Sequence, residues 1–283
     1  MLTKNKSVLP VLSHRISSGC LQREVRVDFF MPHSFDGKKK ISLLLINDGQ
    51  DMKELGLANM LSALYEQNAI EPIFCVGIHC GADRKNEYGT ALVLDYKGRG
   101  AKASLYTQFI LHELLPFIHR QTGIRSFKDK SFAGFSLGGL SALDIVWNHP
   151  EEFLKAGVFS GSLWWRTRAL DEGYVEETDR IMHAQVRKGG YYPWLKFFFE
   201  TGTLDETEDR NNNGIIDAID DTMDLIKELQ LKGYHPHHDI AYLELKDGTH
   251  NVATWAKAMP YFLRWGWELS GGNEDIVVSA NTR

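Results

Sequence analysis

The sequence predicts an α/β fold: a mostly parallel central sheet flanked by helices on both faces. Near-continuous apolar runs recur at Ile41 to Ile46, Ile70 to Ile78, Leu154 to Phe159, Leu195 to Phe199 and Ile240 to Leu245. Runs of that length read as strands buried on both sides. Segments of helical period lie between them, and strands alternating with helices need crossover connections, which make neighbouring strands parallel.

Taken in order, Arg23 to Met31 alternates as a half-buried strand and closes at Pro32. The turn signal Asp36-Gly37-Lys38 precedes the run from Ile41, and this N-terminal pair of strands is expected to add an antiparallel edge. Leu55 to Leu64 carries an apolar face at helical spacing. After Ile78 comes a polar, glycine-containing loop, His79 to Arg99. Ala101 to Gln121 reads as one long amphipathic helix through Leu105, Phe109, Leu114 and Phe117, bent at Pro116. Ser131 to Phe135 is a short strand, Leu140 to Trp147 a helix, Met223 to Leu231 a helix and Val252 to Trp267 the last helix. Residues 166–192 are mixed and charged and form the candidate cap or lid segment over the carboxyl edge of the sheet. No repeat, linker or boundary divides the chain, so 1–283 reads as a single domain.

Composition narrows the function classes. Of 283 residues, 43% are hydrophobic and 24% charged, with a formal net charge of −5, which speaks against nonspecific attraction to nucleic acid or to an anionic membrane surface and leaves room only for a local patch. No apolar run reaches transmembrane length, and the opening Met1-Leu2-Thr3-Lys4-Asn5-Lys6 leads into no signal-peptide core. The three cysteines, Cys20, Cys75 and Cys80, have no metal-ligand spacing, and Cys75 sits in an apolar run as a buried free thiol. Cytoplasmic is the default compartment, and an extracytoplasmic one follows if a leader has been removed. The sequence says nothing of oligomeric state and calls for no organic cofactor.

Gly134-Phe135-Ser136-Leu137-Gly138 fits the Gly-x-Ser-x-Gly turn, in which a strand reverses sharply into a helix and the flanking positions must lack side chains. Ser136 is the predicted nucleophile, projecting at a helix N-terminus where amides and the helix dipole favour an oxyanion. The N–H of Leu137 supplies one donor, and the polar loop Asn47-Asp48-Gly49-Gln50 is placed to supply a second. Serine hydrolases with this turn order their partners as an acid and then a histidine, both on loops after later strands. Of 11 histidines, His250 fits: it follows the strand ending at Leu245 and precedes the final helix. For the acid, the loop after Phe199 offers Glu200, Asp205 and Glu206. Asp205 is preferred, with Glu206 or Asp209 able to substitute.

Asp209-Arg210-Asn211-Asn212-Asn213-Gly214-Ile215-Ile216-Asp217-Ala218-Ile219-Asp220 follows a twelve-position calcium loop. Oxygen side chains fall at Asp209, Asn211, Asn213, Asp217 and Asp220, glycine at the sixth position, and Ile215 would offer its carbonyl. The departure is aspartate at the last position, where glutamate is usual. A structural Ca²⁺ bound here is expected to order the path that carries Asp205. The competing explanation is a polar surface loop without metal.

The chain resembles the Putative esterase family, the esterase D and enterochelin-esterase-like branch of the α/β-hydrolases. The resemblance rests on Asn47-Asp48-Gly49-Gln50-Asp51, Asn86-Glu87-Tyr88-Gly89, Gly134-Phe135-Ser136-Leu137-Gly138-Gly139, Phe159-Ser160-Gly161-Ser162-Leu163-Trp164-Trp165 and Gly248-Thr249-His250, across roughly residues 22–268. It implies the α/β-hydrolase fold and a Ser136, Asp205, His250 triad, with Gly202-Thr203-Leu204-Asp205 matching the family's acid segment. It also implies the backbone N–H of Gln50 as second oxyanion donor. The cation loop departs from the family pattern.

The expected activity is a serine carboxylic-ester hydrolase acting through an acyl-enzyme on an aryl, sugar or siderophore-like ester. Its partner is then a small-molecule or carbohydrate-linked ester. Trp164, Trp165 and Trp255, with Tyr88 and Phe135, are candidates for an aromatic wall in the substrate pocket, although core packing explains any single tryptophan equally well. The alternatives are an acyltransferase, or a calcium-stabilised carbohydrate-binding protein on an inactive hydrolase scaffold.

Overall fold

Eight strands form one sheet in the order β1-β2-β4-β3-β5-β6-β7-β8. The computed structural model describes residues 8–33, 35 and 40–269; the N-terminal segment 1–7 and the turn signal Asp36-Gly37-Lys38 lie outside the described residues. The strands are β1 (Val11–Ser18), β2 (Arg23–Phe30), β3 (Ser42–Asn47), β4 (Ile73–Ile78), β5 (Lys130–Phe135), β6 (Lys155–Phe159), β7 (Lys196–Leu204) and β8 (Ile240–Thr249). From β4 to β8 every neighbouring pair is parallel, whereas β1 pairs antiparallel with β2 and β2 antiparallel with β4.

The antiparallel edge is therefore β1 with β2, and the run from Ile41 belongs to the parallel centre as β3. The helices are α1 (Leu57–Glu66), α2 (Arg84–Glu87), α3 (Ala103–Gln108), α4 (Leu115–Thr122), α5 (Leu137–Asn148), α6 (Glu176–Asp179), α7 (Ile181–Lys188), α8 (Asp217–Lys232) and α9 (Val252–Trp267).

Strand geometry sends alternate side chains to opposite faces, and β3 shows the consequence. Leu43 and Leu45 enter one apolar layer, Leu44 and Ile46 the other, all fully buried. The first layer is covered by α3, α4, α5, α7 and α8, the second by α1 and α9. A sheet buried on both faces explains why its strands read as unbroken apolar runs.

The expected single helix over 101–121 is broken. α3 passes into a π-helical turn, Phe109–Leu114, before α4 begins. Pro116 lies in the first turn of α4; it has no N–H, and its ring crowds the carbonyl four residues back, which the wider turn relieves.

Within 166–192, Ile181, Met182 and Val186 of α7 join the core, and a buried ion network ties α7 to α8. Arg180 is 4% exposed; its Nη1 lies 2.7 Å from Asp221 and its Nη2 2.9 Å from Asp224. Arg210, from the loop before α8, also binds Asp221 at 2.5 Å. Removing one cation leaves a buried carboxylate short of charge, which is more costly than never having the pair. Arg180→Met is therefore expected to destabilise the fold by about 3 kcal/mol in urea unfolding, and a change below about 0.5 kcal/mol would contradict the role of this network.

Candidate active site

Ser136 sits where β5 ends and α5 begins, at φ 53° and ψ −123°. That region is nearly closed to residues with a side chain, and holding one there costs on the order of 1–3 kcal/mol. The turn closes because two glycines give way. A Cβ on Gly134 would lie 2.3 Å from the Gly138 carbonyl oxygen, and one on Gly138 would lie 2.6 Å from Asp48 Oδ2. Ser136 N donates to Phe159 O at 2.8 Å, and Ser162 N donates to Ser136 O at 3.1 Å, so β6 braces the turn on its far side. Ser136 is half-buried, with its Oγ 3.4 Å from Ser162 Oγ.

Leu137 opens α5, and first-turn amides have no acceptor within their own helix. Gln50 lies in the one-turn helix Gly49–Asp51 that follows β3. The end of β3 is fastened to the serine turn from below: Asn47 Nδ2 donates to Gly138 O at 2.8 Å, and Tyr106 Oη donates to Asn47 Oδ1 at 2.6 Å. Asp48 forms a two-point pair with Arg84, both contacts at 2.7 Å, and Arg84 Nη2 reaches Phe135 O at 3.4 Å.

His250 occupies the corner between β8 and α9, where Asn251 caps the helix by accepting from Thr254 N at 3.0 Å. Asp205 follows β7 and accepts from Gly202 N at 3.0 Å. These two segments meet because neither has a side chain at the crossing: a Cβ on Gly202 would lie 2.4 Å from Gly248 backbone. The imidazole makes no hydrogen bond to Ser136 or Asp205 among the described residues, and Asp205 acts on it through charge.

Partial burial, opposed by the Asp205 carboxylate and reinforced by the Arg84 cation, leaves His250 with a pKa below its ordinary value. Burial raises the Asp205 carboxyl above the usual range, opposed by its bond to Gly202, by Ser160 and by His250.

The expected aromatic wall divides. Tyr88 is fully buried and its hydroxyl accepts from Asp48 N at 3.2 Å; Phe135 and Trp165 are also in the core. Trp255 stacks on Phe135 at 5.0 Å, stands edge-on to His250 at 5.4 Å and donates from Nε1 to Ser160 Oγ at 2.9 Å. Phe135 and Trp255 thus back the histidine. Trp164 lines a cavity of about 250 Å³, with Tyr96, Arg99, Arg166, Glu206 and Asp217 on its walls. The Arg99 guanidinium lies over Trp164 and Trp165, at 5.2 and 4.8 Å from their ring centres. A larger cavity of about 410 Å³ opens at the amino ends of β5 and β6, at the opposite end of the sheet from Ser136.

In the loop before α8, Asp209 accepts from Asn213 N and Gly214 N, and the side-chain amides of Asn211 and Asn213 both donate to Asp220 Oδ2, at 3.0 and 2.6 Å. Asp217 is held elsewhere, by Arg210 N at 2.9 Å and the Arg210 guanidinium at 3.2 Å. Among the described residues no three His, Cys, Asp or Glu side chains converge as a metal group.

Arg84, Ser160 and Ser162 touch the site without having been singled out individually. The signal for the serines lay in their segment, Phe159 to Trp165, at the end of the strand beside the nucleophile turn. Arg84, inside a polar loop, carried no signal.

The charges around His250 give a prediction with a sign. Arg84→Met should raise the imidazole pKa and Asp205→Asn should lower it, read by NMR titration of the His250 ring proton; shifts in the same direction would contradict this arrangement.

Comparison with known proteins places this geometry. The family model described as Putative esterase matches residues 18–265. The iron(III) salmochelin esterase of Escherichia coli is 31% identical over 172 residues, which is 59% of this chain and 39% of that protein. The enterochelin esterase of Shigella flexneri superposes with a TM-score of 0.68 at 20% identity, over 90% of this chain and 57% of that one. An IroE-like serine hydrolase from Shewanella oneidensis gives 0.66 at 18% identity, over 91% and 79%. The chain thus spans less than two thirds of the length of the first two, and the structural likenesses speak to the fold. With the family pattern running through nearly all of the described residues, the chain belongs to the Putative esterase family.

Proposed function

We propose that the chain is a serine carboxylic-ester hydrolase working through an acyl-enzyme, with Ser136 as nucleophile, His250 as base and Asp205 as acid. The observation that carries this reading is the strained backbone of Ser136 at the mouth of a helix, a conformation with a cost that a merely structural turn would avoid. His250, on the loop after β8, three strands along the sheet from β5, takes the Ser136 proton as Oγ attacks the ester carbonyl. The Leu137 and Gln50 N–H groups hold the resulting oxyanion. His250 then returns the proton to the departing alcohol, and a water activated by the same imidazole hydrolyses the acyl-enzyme. Substrate binding draws His250 onto Ser136, as catalytic hydrogen bonds often tighten only with substrate in place.

The substrate class is read from the names of the relatives, together with the side chains around Trp164, which line a cavity whose walls include neither Ser136 nor His250. An aromatic platform flanked by Arg99 and Arg166 suits an aryl or siderophore-like ester, the class named in the salmochelin and enterochelin relatives. A fluorophosphonate probe should label Ser136 stoichiometrically, and Ser136→Ala should lose labelling together with about 10⁴-fold or more of kcat on aryl esters. A protein that takes no label, or labels equally well without Ser136, has no nucleophile there. The binding-protein alternative would then gain.

We also propose that the loop 209–220 takes a structural Ca²⁺. Asp209, Asn211, Asn213, Asp220 and the Ile215 carbonyl fit a hard cation that accepts only oxygen; Asp217 joins them where its pair with Arg210 opens. Titration calorimetry after chelator treatment should show Ca²⁺ binding with a rise in Tm. No heat and an unchanged Tm would reject the site.

A further inference from the structure

Glu200, on β7, has no assigned part in this site, yet it lies beneath it. It pairs in register with Phe159 on β6, its carbonyl accepts from Ser160 N at 2.8 Å, and its side chain is 1% exposed. Both carboxyl oxygens of Glu200 and Oδ1 of Asp205 are buried without a hydrogen-bond partner. Three such atoms in one place call for an explanation, because a buried polar group left unpaired costs about 1–3 kcal/mol.

The hydroxyl of Ser160 lies near enough to favour the charged form of either carboxyl. Ser160 Oγ already accepts from Trp255 Nε1, so it has one proton left to donate, and one proton cannot satisfy two carboxylates. No basic side chain pairs with Glu200 among the described residues. Asp205, by contrast, has the Gly202 N–H at 3.0 Å and feels His250. When two buried carboxyls compete, the better-supported one ionises and the other keeps its proton.

We propose that Glu200 is a positioning residue of this site: held as a neutral acid against Ser160, it leaves Asp205 as the single buried negative charge acting on His250. The inference rests on the esterase reading above. Burial, reinforced by the Asp205 charge, pushes the Glu200 carboxyl up to about 8. Among the described residues, the other ionisable group that feels its charge is Tyr242 on β8, which in turn bonds Glu244. Burial holds the Tyr242 phenol protonated, and its hydroxyl bonds to Thr201 at 2.6 Å and to Glu244 at 3.2 Å. Once Glu200 ionises, it competes with Asp205 for the Ser160 proton and sets a second negative charge beside the Asp205 carboxylate, loosening Asp205.

The test is the pH profile of kcat on p-nitrophenyl acetate for the wild type and Glu200→Gln, which keeps a donor but cannot ionise. The wild type should lose activity as pH passes through about 8, with KM little changed. In Glu200→Gln that alkaline limb should move up by about one pH unit or more. Ser160→Ala, which withdraws support for the ionised form of Glu200, should also move the limb upward.

Stability supplies a readout independent of turnover. A carboxyl with a raised folded-state pKa holds a proton that the unfolded chain has lost, so wild-type stability should fall between about pH 4.5 and 8. The Tm of Glu200→Gln should therefore gain on the wild type across that window. Labelling of Ser136 by a fluorophosphonate separates the two readings. No labelling overturns the esterase assignment; labelled proteins with superimposable alkaline limbs, or with Tm values parallel at every pH, overturn the role of Glu200 alone.

Discussion

The reversal of the chain at Ser136 is the constraint on which the rest of the site depends. A residue with a side chain is held at positive φ between a buried strand and a buried helix, and the cost is borne by packing on all sides. Gly134 and Gly138 clear the space, β6 braces the turn through two backbone bonds, and Asn47 ties the end of β3 to Gly138. The sheet order matters for the same reason. With β3 and β6 on either side of β5, both neighbours of the nucleophile strand end at the level of the turn and contribute polar groups to it.

Charge is arranged around that turn in two opposing arms. Arg84, locked by Asp48, acts on His250 in one sense and Asp205 in the other, the cation lowering its pKa and the carboxylate raising it. Burial, helped by Arg84 and opposed by Asp205, lowers the pKa of the imidazole and so favours its neutral form, the state that the proposed role as base requires. The Gly202 and Gly248 crossing gives the second arm its reach, since β7 and β8 approach more closely there than any side chain allows. Trp255 joins the parts, stacking on Phe135, bordering His250 and binding Ser160.

Most of the parallel sheet was legible in the sequence because burial on both faces demands unbroken apolar runs, as in Leu43 to Ile46 and Phe197 to Phe199. The strand β1 was not, since it pairs on one side alone and leaves Val11 and Leu12 exposed, so its sequence carries little apolar signal. The carboxyl ends of β7 and β8 extend beyond their apolar runs, because Thr201 to Thr203 and Lys246 to Thr249 are polar or small and carry no apolar signal. The strand-to-helix turn at Ser136 is readable from a sterically required pattern, and the corner that carries His250 from its place between the last strand and the last helix. Tyr88, Phe135 and Trp165 read as pocket residues because sequence gives residue type and not direction; the fold turns all three inward. Arg84 and the role of Glu200 depend on contacts between segments far apart in the chain, which no local pattern encodes.

The central claim is that Ser136 carries the acyl group. The most direct measurement is rapid acid quench of turnover with an activated aryl ester, followed by mass spectrometry of the peptide containing Gly134 to Gly139. A mass increment equal to the acyl group on Ser136, appearing within the first turnover and decaying as substrate is exhausted, is the result predicted. Ester hydrolysis with no acyl mass on that peptide at any time, or with the mass on another residue, would contradict it.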